Sequence, residues 1–440
     1  MRSQQVKKIV IYLAFLLNLS VAVMGWLKLG GYELLISGSI QNLSLAVSRL
    51  AGLLAMFSML TQLILISRVA IIEDIFGLNK LIKAHKWFGI LSFSLLLVHV
   101  AGFILSLHRG NILETLSSYQ NAILTWDDLL KAFIAFWLLI IVVFASALLK
   151  LRGMQYRYWY LTHFLTYGVV VLAIGHQINI GSTLQNPLLK TYWVGVFIIV
   201  LGLVFYNRFL KIYLKFSKFQ FRVESILPNN KDTFSFILGF KYPHQLNIKP
   251  GQFAKFMFLQ KGLKHEMHPF SFSDVGKNYL RVTVKVSGPY TAKLKSQLKA
   301  GTKVIIDGPY GKFTFEAAKH EKVLMIAGGV GITPITAVIK KMFSAQPGRD
   351  VKLMYFAGTK SDFIFRQELE SLLLPRSIKF YASDEGVGFC DTTKLQQFCP
   401  DIKERSVYLC GPPQMMKSVK NQLKSMGVNK KDVISEEFGF

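Results

Sequence analysis

Cysteine is nearly absent from the 440 residues: there are three, Cys390, Cys399 and Cys410, all within the last 51 positions and with no Cys-x-x-Cys spacing. So small and unclustered a set excludes a disulfide framework and a structural zinc site, and it suits a reduced, cytosolic setting for that half. Acidic residues are also scarce, 25 against 52 Lys and Arg, giving a formal net charge of +27. Residues 1–217 carry 18 basic and 6 acidic side chains and the remainder 34 and 19. The basic residues stand beside apolar runs and not on a separable segment, which argues for a membrane surface and against nucleic acid. No acidic calcium loop and no proline-rich tail is present, so regulation through either is not expected.

What the sequence has in abundance is apolar surface, 52% of residues, concentrated in the first half. Six stretches, about 9–27, 45–66, 86–107, 130–149, 158–180 and 191–210, each approach the roughly 20 residues that a bilayer core requires. The first follows basic residues but is long enough to span and lacks a persuasive cleavage site, so it is expected to be a retained helix. With the N-terminus inside, the inner connections hold Arg2, Lys7, Lys8, Arg68, Lys80, Lys83, Lys86, Lys150, Arg152, Arg157, Arg208, Lys211 and Lys215. The outer ones hold only Lys28, Arg109, Lys131 and Lys190. Both termini are therefore expected in the cytoplasm.

Histidines inside two of these stretches need a reason, because ionisable groups in a bilayer are costly. His85 and His99 lie on the third stretch, His163 and His176 on the fifth. At about 100° per residue, the 14-residue interval of the first pair brings both rings to one side at two depths. The 13-residue interval of the second leaves the rings about 140° off a common face, which predicts a local irregularity that Gly168 or Gly175 would permit. The two stretches run in the same direction, so His85 with His163 forms an inner pair and His99 with His176 an outer pair. Iron in haem takes two axial ligands, and histidine is one of its usual choices, so two stacked haems are expected. Proton relay by the histidines of a transporter or channel is the competing class.

Arg49 is the basic residue within a span. It is expected to bind an outer-haem propionate, to hold an anionic or polar acceptor, or to snorkel to the outer interface. His108 reads as a wetted surface histidine, and Asp127 or Asp128 as the acidic start of the fourth span.

After residue 217 the pattern changes to short alternating runs, FRVESI, TFSFILGF, QFAKFMFL, HPFSFS and YLRVTVKVS, separated by turn signals: a small β-barrel. From about residue 321 strands alternate with helices, implying a parallel sheet. The turn Gly328-Gly329-Val330-Gly331 leads into a helix and suits a phosphate, and Cys410-Gly411-Pro412 ends another strand where ligands of such sheets collect.

Taken together, these segments resemble the ferredoxin-NADP reductase superfamily in the second half and the ferric reductase transmembrane domain in the first. Joined in this order they are similar to NADPH oxidases (NOX) and membrane ferric reductases over nearly the whole chain. The resemblance implies a multidomain membrane protein: a six-helix transmembrane bundle at 1–217, an FAD-binding β-barrel at 218–318 and an α/β NAD(P)H-binding domain at 319–440. It implies that HPFSFS is a flavin motif, with Phe270 against the isoalloxazine, Ser271 near its reactive nitrogen, His268 toward the ribityl or diphosphate, and Pro269 and Ser273 in the same segment. Gly288 and Thr291 resemble the second flavin segment, and the turn at 306–311 a subdomain junction. GGVGITP, with Gly328, Gly329, Gly331, Thr333 and Pro334, resembles the pyridine-nucleotide turn. Cys410, Gly411 and Pro412 would lie beside the nicotinamide, and Phe440 would cover the flavin. Thr359 and Lys360, with Arg366 a weaker candidate, stand where NADPH users often carry an arginine for the 2′-phosphate. NADPH, with NADH as the other option, would reduce FAD; two b-type haems would carry electrons outward to oxygen, giving superoxide, or, in a ferric or cupric reductase, to Fe(III) or Cu(II). The 14 and 13 spacings resemble the oxidases more than the ferric reductases. The expected setting is the plasma membrane, with no evident protein partner.

Overall fold

The computed structural model describes residues 2–108, 110–152, 156–386 and 389–437. Two compact units divide the chain, Met1–Arg208 and Phe209–Phe440.

The first unit is helical: α1 (Arg2–Trp26), α2 (Ile40–Ile66), α3 (Leu78–Ser106), α4 (Ile112–Thr125), α5 (Asp127–Arg152), α6 (Tyr156–Gly175) and α7 (Pro187–Phe205). All but α4 belong to the six segments long and apolar enough to cross a membrane among the described residues. Their outward faces keep large apolar side chains exposed, as at Leu17, Phe144 and Ile198, which suits lipid and not water. Helix starts follow capping chemistry more than hydropathy. Gly77, at φ 79°, ends one short helix and opens α3 eight residues before the expected span. Asn186 accepts from the amides of Leu188 and Leu189 and Pro187 takes the first helical position, so α7 also begins early.

Helix α4 is not among the expected spans. Asn111 caps it, Thr115 and Ile123 face inward, and Leu113 and Leu124 remain exposed. At 14 residues it is too short to cross, and its two-faced pattern is that of an interfacial helix. Helices α2 and α3 pack closely because the contact is made of small residues. A Cβ on Gly102 would come within 2.9 Å of the Ser44 carbonyl, and the Ser92 hydroxyl donates to the Ala55 carbonyl at 2.9 Å.

The second unit opens with a closed barrel of β1 (Arg222–Pro228), β2 (Thr233–Gly239), β3 (Phe253–Leu259), β4 (His268–Val275), β5 (Tyr279–Lys285) and β6 (Lys303–Tyr310), in the order β1-β2-β5-β4-β3-β6. Phe234, Phe236, Phe256, Phe258 and Phe272 fill it. The stretch 306–311, expected as a junction turn, is mostly strand: β6 pairs with β3 from Leu259↔Lys303 to Phe253↔Tyr310 and closes the barrel through β1. Its Gly and Pro suggested a turn, whereas pairing with β3 makes it a strand.

A five-stranded parallel sheet follows, β7 (Val323–Gly328), β8 (Val351–Ala357), β9 (Ile378–Ala382), β10 (Ser406–Gly411) and β11 (Val433–Glu437), ordered β11-β10-β7-β8-β9. Strand β11 was not foreseen, since VISEE carries too little apolar pattern to stand out. Helices α9 (Ile332–Ala345), α10 (Arg366–Leu372) and α12 (Pro413–Ser425) cover the sheet together with α11 (Thr392–Phe398); α8 (Pro289–Gln297) belongs to the barrel.

Charges tie barrel to sheet. Arg281 on β5 holds Glu368 of α10 through two bonds of 2.9 and 3.0 Å and lies over the Phe365 ring. Lys340 of α9 bridges Asp274 of β4, at 2.6 Å, and Glu368.

Candidate functional site

Helices α3 and α6 bring the four histidines into two facing pairs. The His85 and His163 rings stand 6.0 Å apart, centroid to centroid, and so do those of His99 and His176. With metal–nitrogen bonds of about 2 Å and each nitrogen roughly 1 Å in front of its ring centre, one metal between two imidazoles needs about 6 Å. The orientation of each ring on α3 is set from α2. His99 Nδ1 lies 2.8 Å from the Ser48 carbonyl and 3.1 Å from its hydroxyl, and that hydroxyl also donates to the His99 carbonyl at 2.7 Å. His85 Nδ1 is 3.3 Å from the Gln62 carbonyl. A proton held on Nδ1 in this way leaves Nε2 with its lone pair, the form that ligates. On α6, the Nδ1 atoms of His163 and His176 are buried with no hydrogen-bond partner, and Trp159 stacks on His163 at 5.0 Å. Unsatisfied buried imidazole nitrogens fit a bound metal group better than an ordinary packed core.

The expected irregularity is present but displaced. Helix α6 is regular through Gly175, and a π-turn, His176–Ile180, begins at the ligand candidate itself. Gly168 plays no part, since a Cβ there would meet open space. At Gly175 a Cβ would fall 2.4 Å from an Asp128 carboxylate oxygen. Asp128 accepts from Asn179 at 2.7 Å and from Lys131 at 3.1 Å, so the start of α5 pins the π-turn that carries His176.

A cavity of about 770 Å³ adjoins the outer pair, within the range of cofactor pockets. Apolar side chains such as Leu96, Phe103, Phe136 and Val169 line it, with Arg49 and Tyr119 among its polar members. Arg49 Nη2 donates to the Leu29 carbonyl at 2.7 Å and to the Thr183 hydroxyl at 3.1 Å, while its Nε is buried without a partner. His108 meets the Thr115 hydroxyl at 3.1 Å, away from the pairs.

Sequence reasoning passed over Ser48, Gln62 and Gly52. Gly52 sits in α2 where a Cβ would lie 2.8 Å from His99 Nδ1, so only glycine leaves the ring its position. On the expectation of one haem per pair, replacing Gly52 by valine should lower haem bound per chain by about half, a loss at the outer pair alone, as read by a haemochrome assay on purified protein.

In the second unit, β4 presents His268, Pro269, Phe270 and Ser271 at the barrel's half-buried edge. His268 stacks on Tyr290 at 3.5 Å and lies 3.4 Å from a Glu266 carboxylate oxygen. Burial holds its imidazole below the usual value, against the opposing pull of Glu266. Phe270 packs on Phe256 at 5.9 Å. The hydroxyls of Ser271 and Tyr290 are buried without partners, which suits a polar ligand beside an aromatic wall, and burial raises the Tyr290 phenol. Sequence reasoning gave Tyr290 no role; the clue was an aromatic directly after Gly288-Pro289. Ser273 does not join the group. Its hydroxyl is fully buried in a chain with Thr283, at 2.7 Å, and Arg281. Thr291 uses its hydroxyl on the helix start, accepting from the amides of Ser287 and Gly288 and donating to the Gly288 carbonyl; Gly288 borders open space.

At the ends of β7 and β10, glycines let two turns meet backbone to backbone. A Cβ on Gly331 would lie 2.4 Å from the Cys410 carbonyl, and one on Gly328 2.9 Å from Pro412 and 3.4 Å from Gly411. Gly329 takes φ +51°. The Thr333 hydroxyl donates to the Val330 carbonyl at 2.9 Å, and Pro334 is buried beside it. Cys410 is fully buried, and burial with the nearby Glu436 pushes its thiol well up, so it is no nucleophile. Thr359 and Lys360 follow β8, both already engaged by carboxylates. Phe440 lies outside the described residues.

Three family models match consecutive parts of the chain: a ferric reductase like transmembrane component over 51–174, an FAD-binding domain over 218–314 and an oxidoreductase NAD-binding domain over 325–421. Ferric reduction oxidase 5 of Arabidopsis thaliana is 26% identical over 66% of this chain and 39% of its own. The glycine betaine monooxygenase reductase subunit of Chromohalobacter salexigens is 31% identical over 39% of this chain and 48% of its own. Among solved structures, the flavohaem-like FAD/NAD-binding domain of nitric oxide dioxygenase from Vibrio cholerae is 24% identical with a TM-score of 0.44, over 50% of this chain and 99% of that one. The chain spans about half the length of the first curated relatives it matches.

Proposed function

The chain belongs to the NOX/ferric reduction oxidase family, a ferric reductase transmembrane domain fused to FAD-binding and NAD-binding domains, and from that premise we propose that it is a transmembrane NAD(P)H oxidase. One NAD(P)H on the cytoplasmic side of the plasma membrane would reduce two oxygen molecules on the outer side, leaving NAD(P)⁺, one proton and two superoxide anions.

The observation that carries this reading is the apolar cavity beside the outer His99–His176 pair, with Arg49 in its wall. A haem held by that pair would occupy much of this cavity, and small, apolar oxygen would reach its edge past the apolar lining, whereas chelated ferric iron is bulky and charged. When bound, FAD supplies the conversion from a two-electron donor to single electrons, and two b-type haems, which His85 with His163 and His99 with His176 would hold, supply one-electron chemistry. The chain's own groups do the positioning. The Ser48 and Gln62 carbonyls fix the α3 rings, and Asp128 through Asn179 fixes the turn under His176. His268, Phe270 and Ser271 wall the flavin side, and the backbone of Gly328–Gly331 receives the dinucleotide. With both histidines of a pair holding its metal, oxygen would have no ligand position there, and superoxide would be the expected first product. The Arg49 guanidinium, in the cavity wall, would offset the new negative charge.

A ferric reductase is the second reading, favoured by the name of the Arabidopsis relative. The deciding measurement is aerobic cytochrome c reduction by purified, flavin-supplied protein with NAD(P)H. A signal abolished by superoxide dismutase supports the oxidase. A dismutase-insensitive signal with brisk anaerobic reduction of chelated ferric iron replaces it with the reductase.

A further inference from the structure

Resting on the reading of β7–β8 as an NAD(P)H site, we propose that the carboxylates gathered at the end of β8 select NADH over NADPH. The second strand of such a sheet is where the adenosine ribose is read, and an acidic residue there favours a free 2′-hydroxyl while a phosphate needs a cation. The sequence offers Thr359 and Lys360 as phosphate partners, and the structure takes both out of service. Asp362 turns back on Thr359, accepting from its amide at 3.0 Å and from its hydroxyl at 3.0 Å. Gly358 lets this carboxylate in, since a Cβ there would stand 3.1 Å from it. Lys360 forms an ion pair with Glu385, in the turn after β9. That turn is stitched to the end of β8 by a bond of 3.1 Å from the Asp384 amide to the Gly358 carbonyl, which also brings the Asp384 charge near Lys360. Arg366 bonds Glu370 at 2.9 Å and lies over the Phe380 ring, and its charge also reaches Lys360. Glu385 and Asp384 thus bear on an ammonium that is already paired, Asp362 occupies Thr359, and the second cation at hand, Arg366, has a carboxylate partner of its own.

A 2′-phosphate, carrying nearly two negative charges, would enter this setting against net repulsion and would have to break the Lys360–Glu385 pair. A 2′-hydroxyl donates to a carboxylate and needs no cation. The groups are exposed, so salt weakens the discrimination.

The test uses full-length protein in detergent at low ionic strength. NADH is expected to exceed NADPH in kcat/KM by about tenfold or more, and the ratio to narrow as salt rises. Independently of turnover, 5′-AMP should bind more tightly than 2′,5′-ADP in calorimetry. Glu385→Gln frees Lys360 and should move the NADPH/NADH ratio up by about tenfold; Asp362→Asn should move it the same way while keeping an acceptor for Thr359. Wild-type preference for NADPH and for 2′,5′-ADP would overturn the inference and leave the proposed function intact, as would a ratio unmoved in both variants. Failure of both dinucleotides to bind or to donate electrons would overturn the site reading and the inference together.

Discussion

Replacing His99 by alanine is expected to cut NAD(P)H-driven reduction of the outer acceptor by at least about 100-fold, because changing even the partner that orients a metal-bound histidine costs roughly 10–100-fold. The methyl group carries no ring nitrogen, and His176 then faces an apolar cavity wall alone. Among the described residues no other imidazole or thiol besides His176 lines the cavity to take its place. The control lies in the other unit. Reduction of a water-soluble dye by NAD(P)H needs only the flavin and nucleotide lobes and should persist. Loss of both activities would point to misfolding, and retention of both would remove His99 from the electron path.

The second large effect concerns stability. Arg405 is 2% exposed, yet it carries a charge. Asp401 accepts from its Nε and Nη2, each at 2.9 Å, Asp350 accepts at 2.6 Å and the Val323 carbonyl at 3.3 Å. Asp401→Ala leaves this guanidinium buried with one carboxylate that is itself half-exposed, and should destabilise the nucleotide lobe by about 3–5 kcal/mol. The bonds from Arg405 hold the Asp401 carboxyl well below the usual carboxylate range. Its folded value is lower than its unfolded one, so its contribution is complete above about pH 4 and drains away as pH falls further. All six tryptophans lie before residue 194, which makes tryptophan fluorescence blind to this event. Hydrogen exchange across β7 and β10 reads it directly, and protection unchanged by the substitution would refute the assignment.

Long apolar runs and histidine spacing made the membrane unit and the two pairs legible, because both signals are local in the chain. The supports were not legible. Ser48, Gln62 and Gly52 matter through contacts between α2 and α3, and nothing in a serine or a glycine within an apolar run announces which helix will press against it. Asp128 was read as a helix-start acid, and its second role, holding Asn179, depends on a neighbour 51 positions away. In the soluble unit, turn residues misled once, where Gly308 and Pro309 lie inside β6, and a weakly patterned strand, β11, stayed hidden until its pairing with β10 revealed it. Lys360 looked available for a phosphate because sequence shows charge and not what neutralises it.

The charges between barrel and sheet have a bearing on how the two lobes are aligned. Arg281 and Glu368 are largely buried where they touch, and Lys340 joins them to Asp274. Swinging the lobes apart would exchange these short pairs for hydration by the water that enters, so their net worth is modest. What they set is register: Lys340 of α9 is held to Asp274 of β4, so the edge that carries His268 and Phe270 is aligned with the sheet by charge pairing and not by apolar packing alone.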